Sequence, residues 1–213
     1  MNKSSLKDIL DQVPPDYYQK GIKRSLLQRI WHKKKLKAVL KLVENDPNKI
    51  LDIGCASGWF LWETSKRFPK AKCTGVDIYK KAIDYGSKQY KSIKFICADA
   101  HHLSFQDDSF DLIICTEVLE HVIDPKGVLK EIKRLLSPHG VAIIEMDTGS
   151  LLFRLIWHFW VNSKFSVWKG AHLHTFSTKK LEKMIEDYGF LITKKKIFNF
   201  GMAVAFQSKK DEV

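Results

Sequence analysis

The chain has 213 residues, of which 45% are hydrophobic and 28% are charged, values that are ordinary for one globular domain. No apolar stretch reaches the roughly 18 residues of a membrane-spanning helix, and the N-terminus lacks the apolar segment of a secretory signal. We therefore expect a cytoplasmic protein with a single core. The cysteines, none in a C-x-x-C pair, predict small buried thiols rather than a zinc site: Cys55, Cys73, Cys97 and Cys115.

The net charge of +12 is unevenly distributed along the chain. Residues 1–49 carry +7, residues 50–150 carry −1 and residues 151–213 carry +6. Basic flanks of this kind suit an anionic substrate, nucleic acid or an anionic membrane surface. They are equally typical of a solvated surface that keeps a protein soluble, so charge alone leaves these alternatives open.

The predicted elements begin with a basic helix over residues 17–44, whose apolar side chains recur at Ile22, Leu26, Ile30, Leu36, Leu40 and Val43. Strand-length apolar runs then alternate with helical stretches. Strands are predicted near 49–53, 72–77, 93–98, 110–115 and 140–146, the last after a turn at Pro138-His139-Gly140, and helices near 58–67, 79–90 and 125–136. This alternation predicts an α/β fold in which helices cover both faces of a parallel sheet.

Residues 149–176 form an aromatic insertion after the fifth strand, and within it the segment Leu151–Val161 is apolar almost all round. Eleven residues cannot span a bilayer, so the segment lines an apolar pocket, lies in a membrane interface, or packs into the core or a dimer. Packing is the default interpretation. The tryptophans and nearby lysines suit a membrane interface: Trp157, Trp160, Lys164, Trp168 and Lys169.

The C-terminal part predicts a helix followed by a hairpin. The helix covers Thr178–Tyr188, and either Thr178 or Ser177 can cap it. The runs Phe190–Phe198 and Met202–Ser208 follow, separated by Asn199-Phe200-Gly201. Such a short separation containing glycine is typical of a hairpin, so the last two strands are predicted to be antiparallel.

The most informative stretch is Ile50-Leu51-Asp52-Ile53-Gly54-Cys55-Ala56-Ser57-Gly58, which predicts a buried strand, a tight turn and a helix start. Gly54 and Gly58 allow the backbone to turn sharply and to approach a ligand closely. Asp77 ends the next apolar run, 25 residues after Asp52, where a carboxylate can accept hydrogen bonds from two ribose hydroxyls. Together these features predict a site for a nucleoside-containing cofactor.

The segment Asp52–Gly58 resembles motif I (D-x-G-x-G-x-G) of the class I S-adenosylmethionine-dependent methyltransferases. The chain is most similar to the type 11 small-molecule branch, including the ubiquinone-biosynthesis O-methyltransferases. Further landmarks stand in order at Gly75-Val76-Asp77, Cys97-Ala98-Asp99-Ala100, Phe110–Cys115, Glu117–Val122 and Leu136–Gly140. The resemblance implies a Rossmann-like, mostly parallel seven-stranded sheet whose last strand is antiparallel.

The same resemblance divides the chain into a basic N-terminal helical cover (1–48), a cofactor-binding core (49–148), an aromatic lid (149–176) and a C-terminal helix and hairpin (177–213). One residue departs from the motif, because Ala56 stands where the family usually has its middle glycine. Alanine adds a single methyl group, so we expect the turn to survive without a positive φ at this position.

The resemblance also implies contacts with S-adenosylmethionine. Asp77 binds the ribose, Asp99 meets the adenine amino group, and Ile78 packs against the adenine face; the alternatives are a helix cap for Asp77 and a turn acid for Asp99. Cys115 and Thr116 end the fourth strand, on the side of the methionine end. The full set is Asp52, Gly54, Ala56, Gly58, Asp77, Ile78, Asp99, Ala100, Cys115 and Thr116.

Two groups of side chains are candidates for catalysis. Glu117, Glu120 and His121 would share one face of a helix, where they could form a general base, a divalent-metal site or a structural cap. A similar cluster is associated with a metal in ubiquinone-biosynthesis O-methyltransferases, but we assign no metal here. If residues 170–177 are extended, His172 and His174 lie on one face, with His174 the better candidate base; otherwise hydrogen bonds pin a loop. The catalytic set is His121, His174 and Glu117.

These features predict methyl transfer from S-adenosylmethionine to a small, partly apolar acceptor, with oxygen as the favoured acceptor atom and His121 or His174 removing its proton. A lipid-like or quinone-like acceptor, with peripheral contact to a membrane, fits the aromatic insertion. The alternatives are an RNA methyltransferase that uses the basic flanks, although no appended RNA-binding module is visible, and a non-catalytic cofactor-binding protein.

Overall fold

The computed structural model describes residues 12–162 and 171–211, with the backbone only for Trp160 and Val161. Its seven-stranded sheet has the order β3-β2-β1-β4-β5-β7-β6. All neighbouring strands are parallel except β7, which is antiparallel to both β5 and β6. This confirms the Rossmann-like sheet. The strands are β1 Lys49–Ile53, β2 Lys72–Asp77, β3 Lys94–Cys97, β4 Phe110–Thr116, β5 Leu136–Asp147, β6 Phe190–Phe198 and β7 Ala203–Lys210.

The helices lie on both faces of the sheet and are α1 Tyr17–Arg24, α2 Leu26–Leu40, α3 Trp59–Arg67, α4 Lys80–Gln89, α5 Pro125–Leu135, α6 Leu151–Val161 and α7 Thr178–Asp187. Because successive strand residues point to opposite faces, the central strands build two cores. Leu51 and Ile53 pack on the face that carries α5 and α7. Ile50 and Ile114 pack on the face that carries α2 and α3. No described residue of α6 belongs to either core.

The expectation of one continuous helix over residues 17–44 is wrong. The chain turns at Ser25, which has extended backbone angles (φ −114°, ψ 121°), and its hydroxyl accepts the N–H of Gln28. The Arg29 side chain donates to the carbonyls of Ile22 and Lys23 at 3.0 and 2.8 Å, which holds α1 against the start of α2. Ser25 thus ends one helix and caps the next, although the helical spacing of the apolar residues continues across it.

Several predicted boundaries also move. β5 begins at Leu136, so the predicted turn at Pro138-His139-Gly140 lies inside the strand, where the register with β4 shifts. Ser177 rather than Thr178 caps α7, because its hydroxyl accepts the Lys180 N–H. Between β6 and β7 the expected turn is a short 3₁₀ segment, Asn199–Gly201, with a positive φ at each residue. Within the described residues, no helix is long and apolar enough to cross a bilayer.

The four cysteines are all free thiols. Cys55, Cys73 and Cys115 are buried as expected, but Cys97 is exposed. Cys97 is the last residue of β3, which is an edge strand of the sheet, and edge strands are covered less completely than central ones. Its sulfur lies 3.6 Å from the carbonyl oxygen of Ile78.

Candidate active site

The cofactor motif forms a tight loop after β1. Gly54 and Gly58 both have positive φ angles, +74° and +80°, as their residue type allows. Ala56 also has a positive φ of 46°, so the expectation that it needs none is wrong. The strain is offset locally, because the Ala56 N–H donates a 2.7 Å hydrogen bond to Oδ2 of Asp77.

Asp77 lies at the end of β2, where its carboxylate accepts two backbone hydrogen bonds. Its Oδ1 accepts the Tyr79 N–H at 2.8 Å, just before α4 begins, and its Oδ2 holds Ala56. The carboxylate also lines a cavity of about 160 Å³. Burial raises the pKa of Asp77, although hydrogen bonds from the backbone of Tyr79 and Ala56 counteract this.

We call this space the nucleoside cavity. Most of the predicted cofactor residues meet there: Gly54, Ala56, Asp77, Ile78, Asp99 and Ala100. Oδ1 of Asp99 lies 2.5 Å from Nδ1 of His101 and accepts the His101 N–H at 3.1 Å, so His101 orients this carboxylate. The N-terminal part of the chain also lines the cavity, through Val13, Pro14, Pro15, Tyr17 and Tyr18.

A smaller adjoining cavity of about 60 Å³ lies beneath the loop and brings in Asp52, Gly58 and Thr116. Cys115 lines none of these cavities, because its side chain is buried in the core between the sheet and α5, so the structure does not place it at the site. Oδ2 of Asp52 is buried and has no hydrogen-bond partner among the described residues. Burial raises the pKa of Asp52 to about 8, helped by the charge of Asp77.

These observations fit a nucleoside with a cationic, amine-bearing tail. A buried carboxylate oxygen without a partner is costly unless a donor or a cation reaches it. The cavity, the carboxylates at the ends of β2 and β3, and the unpartnered Asp52 oxygen are therefore compatible with S-adenosylmethionine.

The expected helix carrying Glu117, Glu120 and His121 is not present. Residues 117–121 form a turn after β4, and Glu117 itself has a φ of 54°. Its carboxylate pairs with the buried Lys35 of α2 at 2.7 Å. Burial alone would raise the pKa of Glu117, but the charges of Lys35 and His32 and a hydrogen bond from Lys35 lower it.

The turn nevertheless brings Glu120 and His121 together, and His172 joins them. The ligating atoms of these three residues all lie within 4.8 Å of one another. His121 Nδ1 lies 2.9 Å from the carbonyl oxygen of Ala171, and its ring packs edge-on against His172. Burial lowers the pKa of both histidines, that of His172 to about 4 with help from His121. Both rings are therefore neutral at pH 7.

A cavity of about 290 Å³, which we call the acceptor cavity, opens beside this cluster. Its wall combines aromatic and acidic side chains: Tyr17, Tyr18, Trp31, Glu117, Glu120, Asp147, Phe153, Trp157 and His172. The preference for His174 over His172 is not supported, because Nε2 of His174 lies 3.0 Å from the Val122 carbonyl and the residue lines none of the cavities described here. His172 contacts the rings of His121 and Trp157, whereas His174 contacts Val122 and the ring of Phe176.

Helix α6 forms one side of the acceptor cavity. Trp157 stacks on His172 at 4.5 Å between ring centroids and on Phe153 at 5.8 Å. Trp168, Lys164 and Lys169 lie outside the described residues, as does the side chain of Trp160. Their predicted place in a membrane interface therefore stays a prediction.

The N-terminal cover was predicted from the sequence, but none of its side chains was predicted to line the site. Tyr17 and Tyr18 line both the nucleoside cavity and the acceptor cavity, and Lys35 forms an ion pair with Glu117. One signal was available, because Trp31, Lys35 and Ala38 are spaced as one helical stripe that also faces inward. A lysine on an inward stripe implies a buried partner of opposite charge.

Comparison with known proteins identifies the family and the fold. A family model described as a methyltransferase domain matches residues 23–195. The chain belongs to this methyltransferase family. A demethylmenaquinone methyltransferase from Lactobacillus johnsonii is 32% identical over 222 residues, covering 91% of this chain and 90% of that protein. A ubiquinone biosynthesis O-methyltransferase from Coxiella burnetii is 32% identical over 110 residues, covering 50% of this chain but only 46% of that protein.

A solved methyltransferase structure from Thermotoga maritima, described as a possible histamine N-methyltransferase, has the same fold. It is 21% identical, with a TM-score of 0.76, and the match covers 96% of this chain and 99% of that chain. The protein is thus an S-adenosylmethionine-dependent methyltransferase of the small-molecule type. The resemblance of motif I to that of the class I methyltransferases is confirmed, and so is S-adenosylmethionine as the methyl donor.

We predict that Asp77→Asn raises the dissociation constant of the methyltransferase for S-adenosylhomocysteine about 30-fold. The lost charge weakens hydrogen bonds to the ribose by about 2 kcal/mol. Calorimetry measures this change. Asp84→Asn, which alters an exposed acid of α4 paired with Lys80, is the matched control and should bind normally. Unchanged affinity of Asp77→Asn would show that Asp77 is a structural cap only.

Proposed function

We propose that this methyltransferase transfers a methyl group to the oxygen of a small, partly apolar acceptor that binds in the acceptor cavity. The observation that carries the proposal is a shared wall: Tyr17, Tyr18, Glu117 and His121 line both the nucleoside cavity and the acceptor cavity. Side chains on that wall can contact the donor and the acceptor together, and holding two reactants in line is the main task of such an enzyme.

The residues of the nucleoside cavity hold the donor in this proposal, with Asp77 at the ribose, Asp99 at the adenine and Asp52 near the cationic end. S-adenosylmethionine supplies an electrophilic methyl group when it is bound. Residues 149–162 act as part of the lid, since Phe153 and Trp157 of α6 cover the acceptor cavity and exclude water from it.

His121 is the proposed general base. Its Nδ1 donates to the Ala171 carbonyl, which leaves the lone pair of the neutral ring on Nε2. Burial lowers the pKa of His121, so the ring is unprotonated at pH 7 and can accept a proton from an acceptor hydroxyl. Glu117 is less suited to this role, because Lys35 keeps its carboxylate ion-paired.

The acceptor cavity favours a phenol-like or quinol-like ring with an apolar substituent. Trp31, Phe153 and Trp157 offer aromatic surfaces, and Ile156 adds an apolar one. The names of the relatives from Lactobacillus johnsonii and Coxiella burnetii refer to demethylmenaquinone and ubiquinone biosynthesis, which supports the same class of acceptor.

Methyl-donor consumption across phenols, quinols, amines and RNA tests the proposal, with the methylated atom located by mass spectrometry and NMR. We expect turnover on a phenol or quinol, with the new methyl group on oxygen. Methylated ring carbon would retain the acceptor class but reject the acceptor atom. Turnover on RNA alone would reject both, and donor binding without turnover on any acceptor would favour a non-catalytic role.

We predict that Trp157→Ala raises the KM for the soluble acceptor about tenfold and leaves donor affinity unchanged. Removing the ring that stacks on His172 exposes acceptor surface worth roughly 1.5–3 kcal/mol. Phe159→Ala lies on the same helix but lines none of the cavities described here, so it should leave KM unchanged. Equal effects of the two variants would mean that α6 acts only through general packing.

A further inference from the structure

Helix α6 is an apolar helix that the described protein does not cover. It has 11 residues, and none of its described side chains, 151–159, is buried. Leu151 is 72% exposed and Phe159 is 74% exposed, while Leu155 is half exposed. A helix that is hydrophobic on almost every side favours an apolar environment, yet this one is about 16 Å long and cannot span a bilayer.

A second exposed apolar group lies on α2, on the other side of the acceptor cavity. Leu27 is 79% exposed and Leu26 is 66% exposed, and Ile30 continues the group one turn later. The two helices meet at the cavity, because Leu27 and Ile156 both line it. We define the apolar rim as Leu26, Leu27, Ile30, Leu151, Leu155 and Phe159. Large exposed apolar side chains grouped on two helices that border one cavity are typical of an interaction site.

The charges around the apolar rim indicate what covers it. Helices α1, α2 and α6 contain lysine and arginine but no acidic residue. Lys23, Arg24, Lys33, Lys34 and Arg154 are exposed on them. A second copy of the chain would bring these like charges together, which disfavours self-association. An apolar surface bordered by cations is complementary to an anionic lipid surface instead.

We propose that the apolar rim inserts into the interface of an anionic lipid membrane, with α6 lying along the surface and the cations contacting the headgroups. The acceptor cavity then opens towards the bilayer, so an apolar acceptor dissolved in lipid enters without crossing water. This last step rests on the proposed function. The docking itself does not, since it depends only on exposed surface and charge.

The test is co-sedimentation of the full chain with two kinds of vesicle. Neutral vesicles contain phosphatidylcholine alone, and anionic vesicles contain phosphatidylcholine with about 30 mol% phosphatidylglycerol. We expect binding to the anionic vesicles and at least about tenfold weaker binding to the neutral ones, with the difference reduced at 1 M salt, where charges are screened. The variant Leu155→Gln/Phe159→Gln should lower the partition coefficient about tenfold or more. Glutamine preserves helix propensity, so the helix itself is retained.

Leu191→Gln is the matched control, because Leu191 is 58% exposed on β6 but is not part of the apolar rim. It should bind vesicles normally, and all variants should keep wild-type affinity for S-adenosylhomocysteine, which shows that they fold. Absence of wild-type binding to anionic vesicles would overturn the proposal. An equal loss of vesicle binding in Leu191→Gln would also overturn it. The same holds if the wild type is a dimer that Leu155→Gln/Phe159→Gln converts to a monomer. Vesicle binding without turnover would reject the proposed function and leave the docking surface standing.

Discussion

Gly54→Val is expected to abolish measurable donor binding and to destabilise the fold. A Cβ at this position would lie 2.2 Å from Cγ2 of Val118, and the φ of +74° is unfavourable for a β-branched residue. Overpacking and backbone strain together should lower the free energy of unfolding by about 2–5 kcal/mol. The dissociation constant for S-adenosylhomocysteine should rise at least about 100-fold, because the side chain also enters the wall of the nucleoside cavity.

Urea unfolding and calorimetry measure the two effects separately. Gly201→Val is the matched control, since its φ of +83° imposes similar strain but nothing lies within 4 Å of the added Cβ. It should lose stability through backbone strain and bind the donor normally. If Gly54→Val binds as tightly as Gly201→Val, the loop does not approach the ligand and the placement of the donor is wrong.

Lys35→Met is expected to lower the free energy of unfolding by about 3–5 kcal/mol at pH 8. The substitution leaves the carboxylate of Glu117 without its partner, and removing one member of a buried ion pair has this cost. Lys35 also counteracts the raised pKa of Asp52 and of Glu145, so three acids lose a compensating charge. The double variant Lys35→Met/Glu117→Gln should recover part of the stability, which a double-mutant cycle measures.

The loss in Lys35→Met should depend on pH. In the wild type the pKa of Glu117 is lowered in the folded state. The Lys35–Glu117 pair therefore stabilises the protein fully at pH values above the ordinary pKa of a glutamate, and this stabilisation is lost as the pH falls towards the lowered pKa. Without Lys35, burial raises the pKa of Glu117, and destabilisation then grows as pH rises through the raised value. The cost should therefore be smaller at pH 5 than at pH 8.

Urea unfolding at the two pH values checks this sign. Lys183→Met removes an exposed ion pair with Asp187 and should change stability by less than about 1 kcal/mol at either pH. A cost for Lys35→Met that is equal at pH 5 and pH 8 would mean that lost packing of the lysine stem, rather than its charge, is responsible.

The sequence by itself determined the layered α/β architecture, and most of the residues it predicted for the donor site line one of two adjoining cavities. The alternation of apolar runs and helical stretches predicts the order of strands and helices along the chain. Gly54, Gly58 and Asp77 are recognisable because a tight turn and a carboxylate at the end of a strand depend on nearby residues. The same local reasoning failed at Ala56, whose positive φ depends on a hydrogen bond to Asp77, 21 residues away. A local sequence pattern does not reveal a hydrogen bond between residues that are so far apart in the chain.

Only the tertiary structure decided which side chains meet at the acceptor cavity. Lys35 reaches Glu117 from 82 positions away because Ser25 breaks the N-terminal helix and sets the angle of α2 across the sheet. His172, rather than His174, joins His121 because the Ala171 carbonyl binds the His121 ring and fixes the register of that loop. Such contacts depend on how distant segments pack, and no periodicity in the sequence encodes them.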